Sequence, residues 1–150
     1  MKATIAAVAT LGFALSTLLA TATAASRERE GDEAVTRARH AAREWLALVD
    51  KGKYEQSWDE SASLFKQEIT RSDWAAKVGG LRAPLGGLES RRLRTAAFSH
   101  HLIGVTGFPE GDYVVFRYDS RFANKTAAAE LLRVMRDQDG RFRAAGYFIE

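Results

Sequence analysis

The apolar positions change their spacing near the middle of the chain. Between residues 32 and 78 they recur every three to four positions, which is typical of amphipathic helices. From residue 89 onward they recur at every second position, which is typical of strands with one buried face. Helices followed by antiparallel strands predict an α+β fold, with the N-terminal helices packed on one face of a curved, cone-like antiparallel sheet of about four strands.

Three helices are predicted before the spacing changes. Asp32 is placed to act as the N-cap of the first helix, which is expected to end near Gly52, a residue suited to a left-handed exit. The second helix is expected to run from Tyr54 to about Lys66. Ser72 is expected to cap a short third helix, which Gly79-Gly80 would end.

Four strands are predicted after a loop marked by Pro84 and two glycines. They span Glu89 to about Phe98, Asp112 to Phe122, Ala127 to Asp137, and Arg141 to Ile149. The alanines and leucines of the third segment also suit a helix. Residues 103–111 are expected to form a turn region, and Asp139-Gly140 a tight hairpin. Alternation places four residues of the last strand on one face: Phe142, Ala144, Gly146 and Phe148.

The N-terminal residues have the pattern of a secretory signal. Lys2 is the sole charged residue before Arg27, and an apolar run follows it. Small residues at Ala22 and Ala24 suit signal peptidase, so residues 1–24 are predicted to be a cleavable signal peptide. The alternative is an uncleaved anchor, but a span needs about 20 apolar residues and this run is diluted by threonine and serine. The pattern predicts a periplasmic or secreted bacterial protein that meets the membrane through this segment before cleavage.

The composition constrains the chain beyond the signal segment. Residues 25–31 are mostly charged and are predicted to form a flexible lead-in to a single α+β domain at residues 32–150. The chain has no cysteine, which excludes disulfides, cysteine nucleophiles and cysteine zinc ligands. Without the leader and its Lys2, 21 basic residues face 19 acidic ones, a net charge of about +2. That charge is too small to indicate a nucleic-acid partner, and none is expected.

Several short motifs in order resemble one bacterial family, catalogued as domain of unknown function 4019. They are Trp45–Tyr54, Ser57-Trp58, Trp74, Arg82–Gly86, Ser90-Arg91, Pro109–Tyr113, Phe122–Lys125, Glu130, Asp139-Gly140 and Gly146–Ile149. Phe142 departs from the pattern, which has a tryptophan there. The element order also resembles nuclear-transport-factor-2-like or cystatin-like cones, in which a curved sheet wraps helices around a pocket. Neither resemblance implies a function.

The histidines offer little support for metal chemistry. His100 and His101 are adjacent near a strand end, so extended backbone would point them to opposite faces. His40 and Glu44 lie four residues apart on a helix, a spacing that can hold a metal but more often gives a surface pair. Neither a metal nor a cofactor is expected, and the motifs of serine hydrolases and phosphate-binding loops are absent from the sequence.

Glu130 is the strongest candidate for a functional group. If Leu132 and Val134 face the helices, alternation puts Glu130 on the same inner side, where an unpaired charge would be very costly. A pocket of ligand-binding residues is therefore predicted: Glu130, Tyr118, Arg91, Arg82 and Trp58. The alternatives are a structural ion pair at the edge of the core, or the opposite strand phase, in which Leu131 and Met135 face inward.

Three functions are compatible with these features. The leading hypothesis is a non-catalytic binding module of the cell envelope that takes a small ligand or a protein partner. The second is a small pocket enzyme of the hydrolase or isomerase type that uses an inward carboxylate such as Glu130. The third is an oligomerisation or scaffold domain, with copies of the chain pairing through Tyr113, Val115 and Tyr147 on the outer sheet face.

Overall fold

The computed structural model describes residues 11–100 and 109–150, with side chains described from residue 23 onward. The chain divides into two compact units, residues 1–33 and residues 34–150. In the first unit the described residues are helical and belong to helix α1 (Leu11–Asp50). None of the helices in the described ranges is long and apolar enough to cross a membrane.

The N-cap predicted at Asp32 is wrong, because α1 passes through this position without a break. The segment expected to be a flexible lead-in, residues 25–31, is helical as well. Alanine, glutamate and arginine dominate it, and these residues favour helix even where no apolar stripe is present. The signal peptide and its cleavage site stay predictions.

The second unit contains the end of α1, three further helices, a short 3₁₀ turn and four strands. The helices are α2 (Tyr54–Asp59), α3 (Ser63–Glu68) and α4 (Arg71–Arg82), and the 3₁₀ turn is Ala83–Leu85. The strands are β1 (Leu88–Ser99), β2 (Tyr113–Phe122), β3 (Lys125–Arg136) and β4 (Phe142–Ile149).

The four strands form one open antiparallel sheet in the order β1-β2-β3-β4, so that sequence neighbours are also sheet neighbours. The predicted α+β class is confirmed. The hairpin at Asp139-Gly140 is confirmed too, with Gly140 at a φ of +80°, where a side chain would be strained. Most of the predicted turn region, residues 103–108, lies outside the described residues.

The core lies between the sheet and the apolar stripes of α1 and α4. The helices contribute Ala34, Ala38, Ala42, Trp45, Leu46, Val49, Trp74 and Val78. The sheet contributes Val114, Phe116, Tyr118, Leu132, Val134, Phe142, Ala144 and Tyr147. A smaller cluster of Ala62, Tyr113, Met135 and Ala145 lies apart from this core.

The helix predicted from Tyr54 to Lys66 is two helices, because the backbone is extended at Ala62. The amide of Ala62 donates to the carbonyl of Ala144 at 2.8 Å, so the linker between the two helices forms a hydrogen bond with strand β4. This tertiary bond outweighs the continuous helical pattern.

The third predicted helix is longer than expected at both ends. Its N-cap is Thr70 rather than Ser72, and the Thr70 hydroxyl accepts a hydrogen bond from the amide of Asp73 at 3.2 Å. The helix continues through Gly79-Gly80 to Arg82. An added Cβ at Gly79 would lie 3.4 Å from the ring of Tyr54, an ordinary contact distance, so this glycine lies against α2 within the helix rather than ending it.

The single face predicted for the last strand is wrong beyond Ala144. A bulge at the pairing of β3 with β4 places Arg133 opposite Gly146 but Val134 opposite Ala144, so that Ala145 is an extra residue. The bulge reverses the phase of the strand. Tyr147 therefore packs in the core, while Phe148 is 46% exposed.

Gly86 occupies backbone that a residue with a side chain rarely adopts. Its φ is +73° and its ψ is −167°, and an added Cβ would lie 3.0 Å from the Cβ of Ala123. We expect Gly86→Ala to lower the free energy of unfolding by about 2 kcal/mol, as measured by urea denaturation. The neighbouring Gly87→Ala is the control, because an added Cβ there meets nothing within 4 Å. Equal losses in the two variants would contradict the prediction.

Asp137, just after β3, caps the N-terminus of α3, although the two lie far apart in the sequence. Its Oδ2 accepts hydrogen bonds from the backbone amide and the hydroxyl of Ser63, both at 3.0 Å. Burial acts to raise the pKa of Asp137, but these bonds and the amide of Gln138 outweigh it and lower the pKa. The folded pKa thus lies below the unfolded value of about 3.9, so the stabilisation is present above that pH and is lost as the pH falls.

We expect Asp137→Asn to flatten the acid side of the stability curve. In the native protein the free energy of unfolding falls between about pH 5 and pH 2 as Asp137 and other carboxylates gain protons. The variant cannot titrate at this position, so its curve has a smaller slope and starts from a lower free energy at pH 7. Urea denaturation across this pH range measures both. A variant curve parallel to that of the native protein would contradict the assignment.

Candidate functional site

The carboxylate of Glu130, in β3, is fully buried and fully paired. Arg91 binds it through two nitrogens, with Nε at 2.6 Å from Oε2 and Nη2 at 2.9 Å from Oε1. The hydroxyls of Ser120 and Tyr147 each donate a short hydrogen bond to it. Arg82 approaches Oε1 through Nη1 at 3.5 Å, a weaker contact. Both carboxylate oxygens are therefore occupied by donors.

The same two arginines also bind Asp50, the last residue of α1. Arg91 donates to both Asp50 oxygens, at 2.7 and 2.9 Å, and Arg82 donates through Nη2 at 2.8 Å. The side chain of Asp50 is 20% exposed, that of Arg91 12% and that of Arg82 5%. Asp50, Arg82, Arg91 and Glu130 thus form a charge network with no net charge, buried at its Glu130 end and open to solvent at its Asp50 end.

Four elements meet at the charge network. Asp50 ends α1 and Arg82 ends α4, while Arg91 and Glu130 come from β1 and β3. A carboxylate at a helix C-terminus is unfavourable by itself, because the helix dipole is negative there. The guanidinium groups of Arg82 and Arg91 compensate for it. The network therefore joins both helix ends to the sheet.

Burial and pairing shift the pKa values of Arg91 and of Tyr147, the tyrosine that donates to Glu130. Burial acts to lower the pKa of Arg91, but its bonds to Asp50 and Glu130 outweigh burial and raise the pKa above its ordinary value. Burial, together with the charge of Glu130, raises the pKa of Tyr147 well above its ordinary value. Arg91 therefore stays charged at ordinary pH, and Tyr147 keeps the proton that it donates to Glu130.

The structure brings together most of the residues predicted to bind a ligand. Arg82 and Arg91 contact Glu130 directly, and Tyr118 is the register partner of Glu130 on β2. The guanidinium carbon of Arg91 lies 6.0 Å from the centre of the Tyr118 ring. Trp58 is not part of this group: its indole donates to the carbonyl of Ile69 at 2.9 Å, and Lys66 lies over its ring. That these residues bind a ligand stays a prediction.

Three members of the site were missed in the sequence: Asp50, Ser120 and Tyr147. Ser120 carried a signal, because it alternates in phase with Tyr118 and Phe122 on the face predicted to be buried. Asp50 carried a weaker one, as an acidic residue at the predicted end of a helix. Tyr147 carried none, because the bulge in β4 determines which way its side chain points.

A groove of about 380 Å³ lies between α1 and the neighbouring strands β1 and β2, beside the exposed end of the charge network. We call it the α1–β1 groove. Its lining combines a charged rim with apolar walls and consists of Arg39, Arg43, Leu46, Ala47, Asp50, Arg91, Leu93 and Tyr118. Asp50 and Arg91 therefore belong both to this groove and to the charge network.

The outer sheet face does not carry the surface that the scaffold hypothesis named. Tyr113 is fully buried in the small cluster, and its hydroxyl donates to the carbonyl of Pro109 at 2.7 Å. Tyr147 points into the core. Val115, the third residue that the scaffold hypothesis named, is half-buried. A wide depression of about 700 Å³ does lie near the β2–β3 turn, and its lining mixes charged residues such as Arg92, Asp119 and Arg121 with hydroxyl groups and alanines.

The histidines make pairwise contacts. His40 lies 3.3 Å from Glu44 on the exposed side of α1. Nδ1 of His100 lies 2.8 Å from Oδ1 of Asp112, and His101 lies outside the described residues. Across residues 11–100 and 109–150, no three potential metal ligands cluster closely enough to hold an ion.

Comparison with known proteins places the chain in a family. No curated protein and no solved structure matches it. The family described as protein of unknown function (DUF4019) matches over residues 41–147, a range that includes α2 to α4, all four strands except for the last residues of β4, and the four members of the charge network. The protein therefore belongs to the DUF4019 family.

Proposed function

We propose that the protein is an exported, non-catalytic binding module that holds a small ligand in the α1–β1 groove. The observation that supports this most strongly is the groove itself. Its volume of about 380 Å³ lies in the range of about 300–1,000 Å³ typical of small-molecule sites. Leu46, Ala47 and Leu93 give it apolar walls, and its other five lining residues carry polar groups that can orient a ligand.

The charge network supports the proposal because it makes the groove rigid before a ligand arrives. Asp50 and Arg91 line the groove, and both are held by charge-assisted hydrogen bonds to groups on other elements. A preformed site loses less conformational entropy on binding than a flexible one.

The enzyme hypothesis has weaker support in this geometry. A general base needs a free lone pair within reach of a substrate proton. Both oxygens of Glu130 already accept hydrogen bonds, and the side chain has no exposed surface. The groove meets the charge network at Asp50 and Arg91 and not at Glu130. A protein partner is the second candidate, because the groove is open along one side of α1.

Export and a cone-like architecture belong to the same proposal. The apolar leader with Ala22 and Ala24 supports cleavage after residue 24 and a periplasmic or secreted location. Helices packed on one face of an open antiparallel sheet support a likeness to cystatin-like cones. Expression of the full chain in a bacterial host tests export: the intact mass of the product should lack residues 1–24, and retention of those residues would contradict it.

The binding proposal is tested by native mass spectrometry of the purified protein, followed by a thermal-shift screen of small metabolites. We expect a co-purifying ligand, or a rise in melting temperature with members of one chemical class. Ala47→Phe fills the groove and should abolish either signal, whereas Ala76→Phe, at an exposed position on α4, should preserve it. A ligand that binds Ala47→Phe as well as it binds the native protein would exclude this groove.

A further inference from the structure

Two arginines on α1 bring uncompensated positive charge to the α1–β1 groove. Arg39 and Arg43 lie four residues apart, so they share one face of the helix, and both line the groove. Both are exposed, and neither forms an ion pair with a side chain in the described part of the chain. The third arginine of the lining, Arg91, is already compensated by Asp50 and Glu130.

The hydroxyl of Tyr118 adds a neutral donor to the same groove. The Tyr118 side chain is 8% exposed, and within the described ranges its hydroxyl has no hydrogen-bond partner. No buried polar atom of the described side chains lacks a partner, so this hydroxyl is open to the groove that it lines. Burial raises the pKa of Tyr118, so the hydroxyl keeps its proton. Arg39 and Arg43 lie close enough to act on it electrostatically.

These groups leave the groove rich in donors and poor in acceptors. The charge network is neutral by itself, so the net charge around the groove is that of Arg39 and Arg43. Asp50, the acid of the lining, already accepts bonds from two guanidinium groups. A ligand that pairs with the donors and the positive charge of the groove must therefore supply acceptor oxygens and negative charge. Carboxylates and phosphates do so, and their oxygens match the fork of a guanidinium group.

We infer that the α1–β1 groove binds a small organic anion, with a carboxylate or phosphate group held by Arg39, Arg43 and the Tyr118 hydroxyl. The apolar body of the ligand lies against Leu46, Ala47 and Leu93. The inference rests on the proposed function and adds the chemical class of the ligand to it. Because Arg39 and Arg43 are exposed, binding weakens as the salt concentration rises.

The test compares four probes, which differ in charge and in apolar body, by isothermal titration calorimetry at low and high salt. Benzoate and phenyl phosphate carry the anion and an apolar body, benzamide lacks the charge, and inorganic phosphate lacks the body. We expect benzoate or phenyl phosphate to bind, with an affinity at least about tenfold above that of both benzamide and inorganic phosphate. A tenfold difference corresponds to about 1.4 kcal/mol.

Three variants locate the binding. The double variant Arg39→Gln/Arg43→Gln should lower the affinity for the bound anion at least about tenfold, and Tyr118→Phe should lower it about threefold to tenfold by removing one donor. Arg117→Gln is a control that removes one charge: Arg117 is an exposed arginine on the outer face of β2, so its loss changes the net charge but leaves the affinity unchanged. Equal losses in Arg117→Gln and the double variant would overturn the inference.

The possible outcomes distinguish a failure of the anion inference from a failure of the proposed binding function. If neutral compounds bind and Ala47→Phe blocks them while the anions do not bind, the anion inference fails and the binding module stands. If no probe or screened metabolite binds the native protein, both fail. Inorganic phosphate binding as tightly as phenyl phosphate would overturn the assignment of the apolar walls to the ligand body.

Discussion

We expect Glu130→Gln to lower the free energy of unfolding by about 3 kcal/mol. The substitution keeps the shape of the side chain but removes a buried negative charge, and this leaves the guanidinium of Arg91 with half of its compensation. The new amide also places donor hydrogens against groups that donate: Arg91, Ser120 and Tyr147. Breaking a buried ion pair from one side typically costs about 3–5 kcal/mol. Urea denaturation followed by tryptophan fluorescence measures the loss.

The control for this prediction is Glu89→Gln, at an exposed carboxylate on β1. It removes the same charge from the surface and should change the free energy of unfolding by no more than about 0.5 kcal/mol. A loss in Glu130→Gln no larger than that of the control would show that the charge network contributes nothing to stability. It would also remove the physical argument for a groove made rigid by that network.

Trp45→Ala should destabilise the protein by about 4 kcal/mol, through the loss of a buried ring and of two hydrogen bonds. The side chain is 3% exposed and packs against the rings of Trp74 and Tyr147, with centroids 5.8 and 5.5 Å away. Its indole nitrogen donates to the carbonyl of Ser57 at 2.8 Å and to the hydroxyl of Ser61 at 3.0 Å. Truncating a buried tryptophan to alanine typically costs about 3–5 kcal/mol.

Two further variants separate the contributions at this position. Trp45→Phe keeps most of the apolar volume but loses the indole donor, so we expect a smaller loss of about 2 kcal/mol. Leu81→Ala removes a side chain that is 44% exposed on α4 and should cost about 0.5 kcal/mol or less. If Trp45→Ala costs no more than Leu81→Ala, the interior between α1 and β4 is not packed as described.

The inward position of Glu130 was predictable, whereas its full set of partners was not. Alternation with Leu132 and Val134 set the phase, and the cost of an unpaired buried charge pointed to a cationic partner. Arg82 and Arg91 were named on that basis. Asp50 was not, because nothing in local spacing brings the end of α1 to β1 and β3. Only the packing of both helices onto the sheet brings these residues together.

The prediction of which side chains of β4 face the core was wrong beyond Ala144, because local patterning contains no information about which strand residue will be unpaired. Phe142 and Ala144 lie on the predicted face, but the extra residue Ala145 reverses everything after it. Tyr147, a donor to Glu130, thereby replaces Phe148 on the inside. The same reversal weakens the scaffold hypothesis, which had assigned Tyr147 to the outer face.

The sequence by itself determined the family, through its motifs. It also determined the α+β class, the four strands and the inward carboxylate, because these depend on local periodicity and on the cost of burying charge. The tertiary structure decided the split between α2 and α3, the bulge in β4 and the contact of the Trp58 indole with the carbonyl of Ile69. It also decided that Arg39, Arg43 and Tyr118 line the same groove. Each of these depends on contacts between residues distant in the chain, such as the bond from Ala62 to Ala144, and local spacing does not encode such contacts.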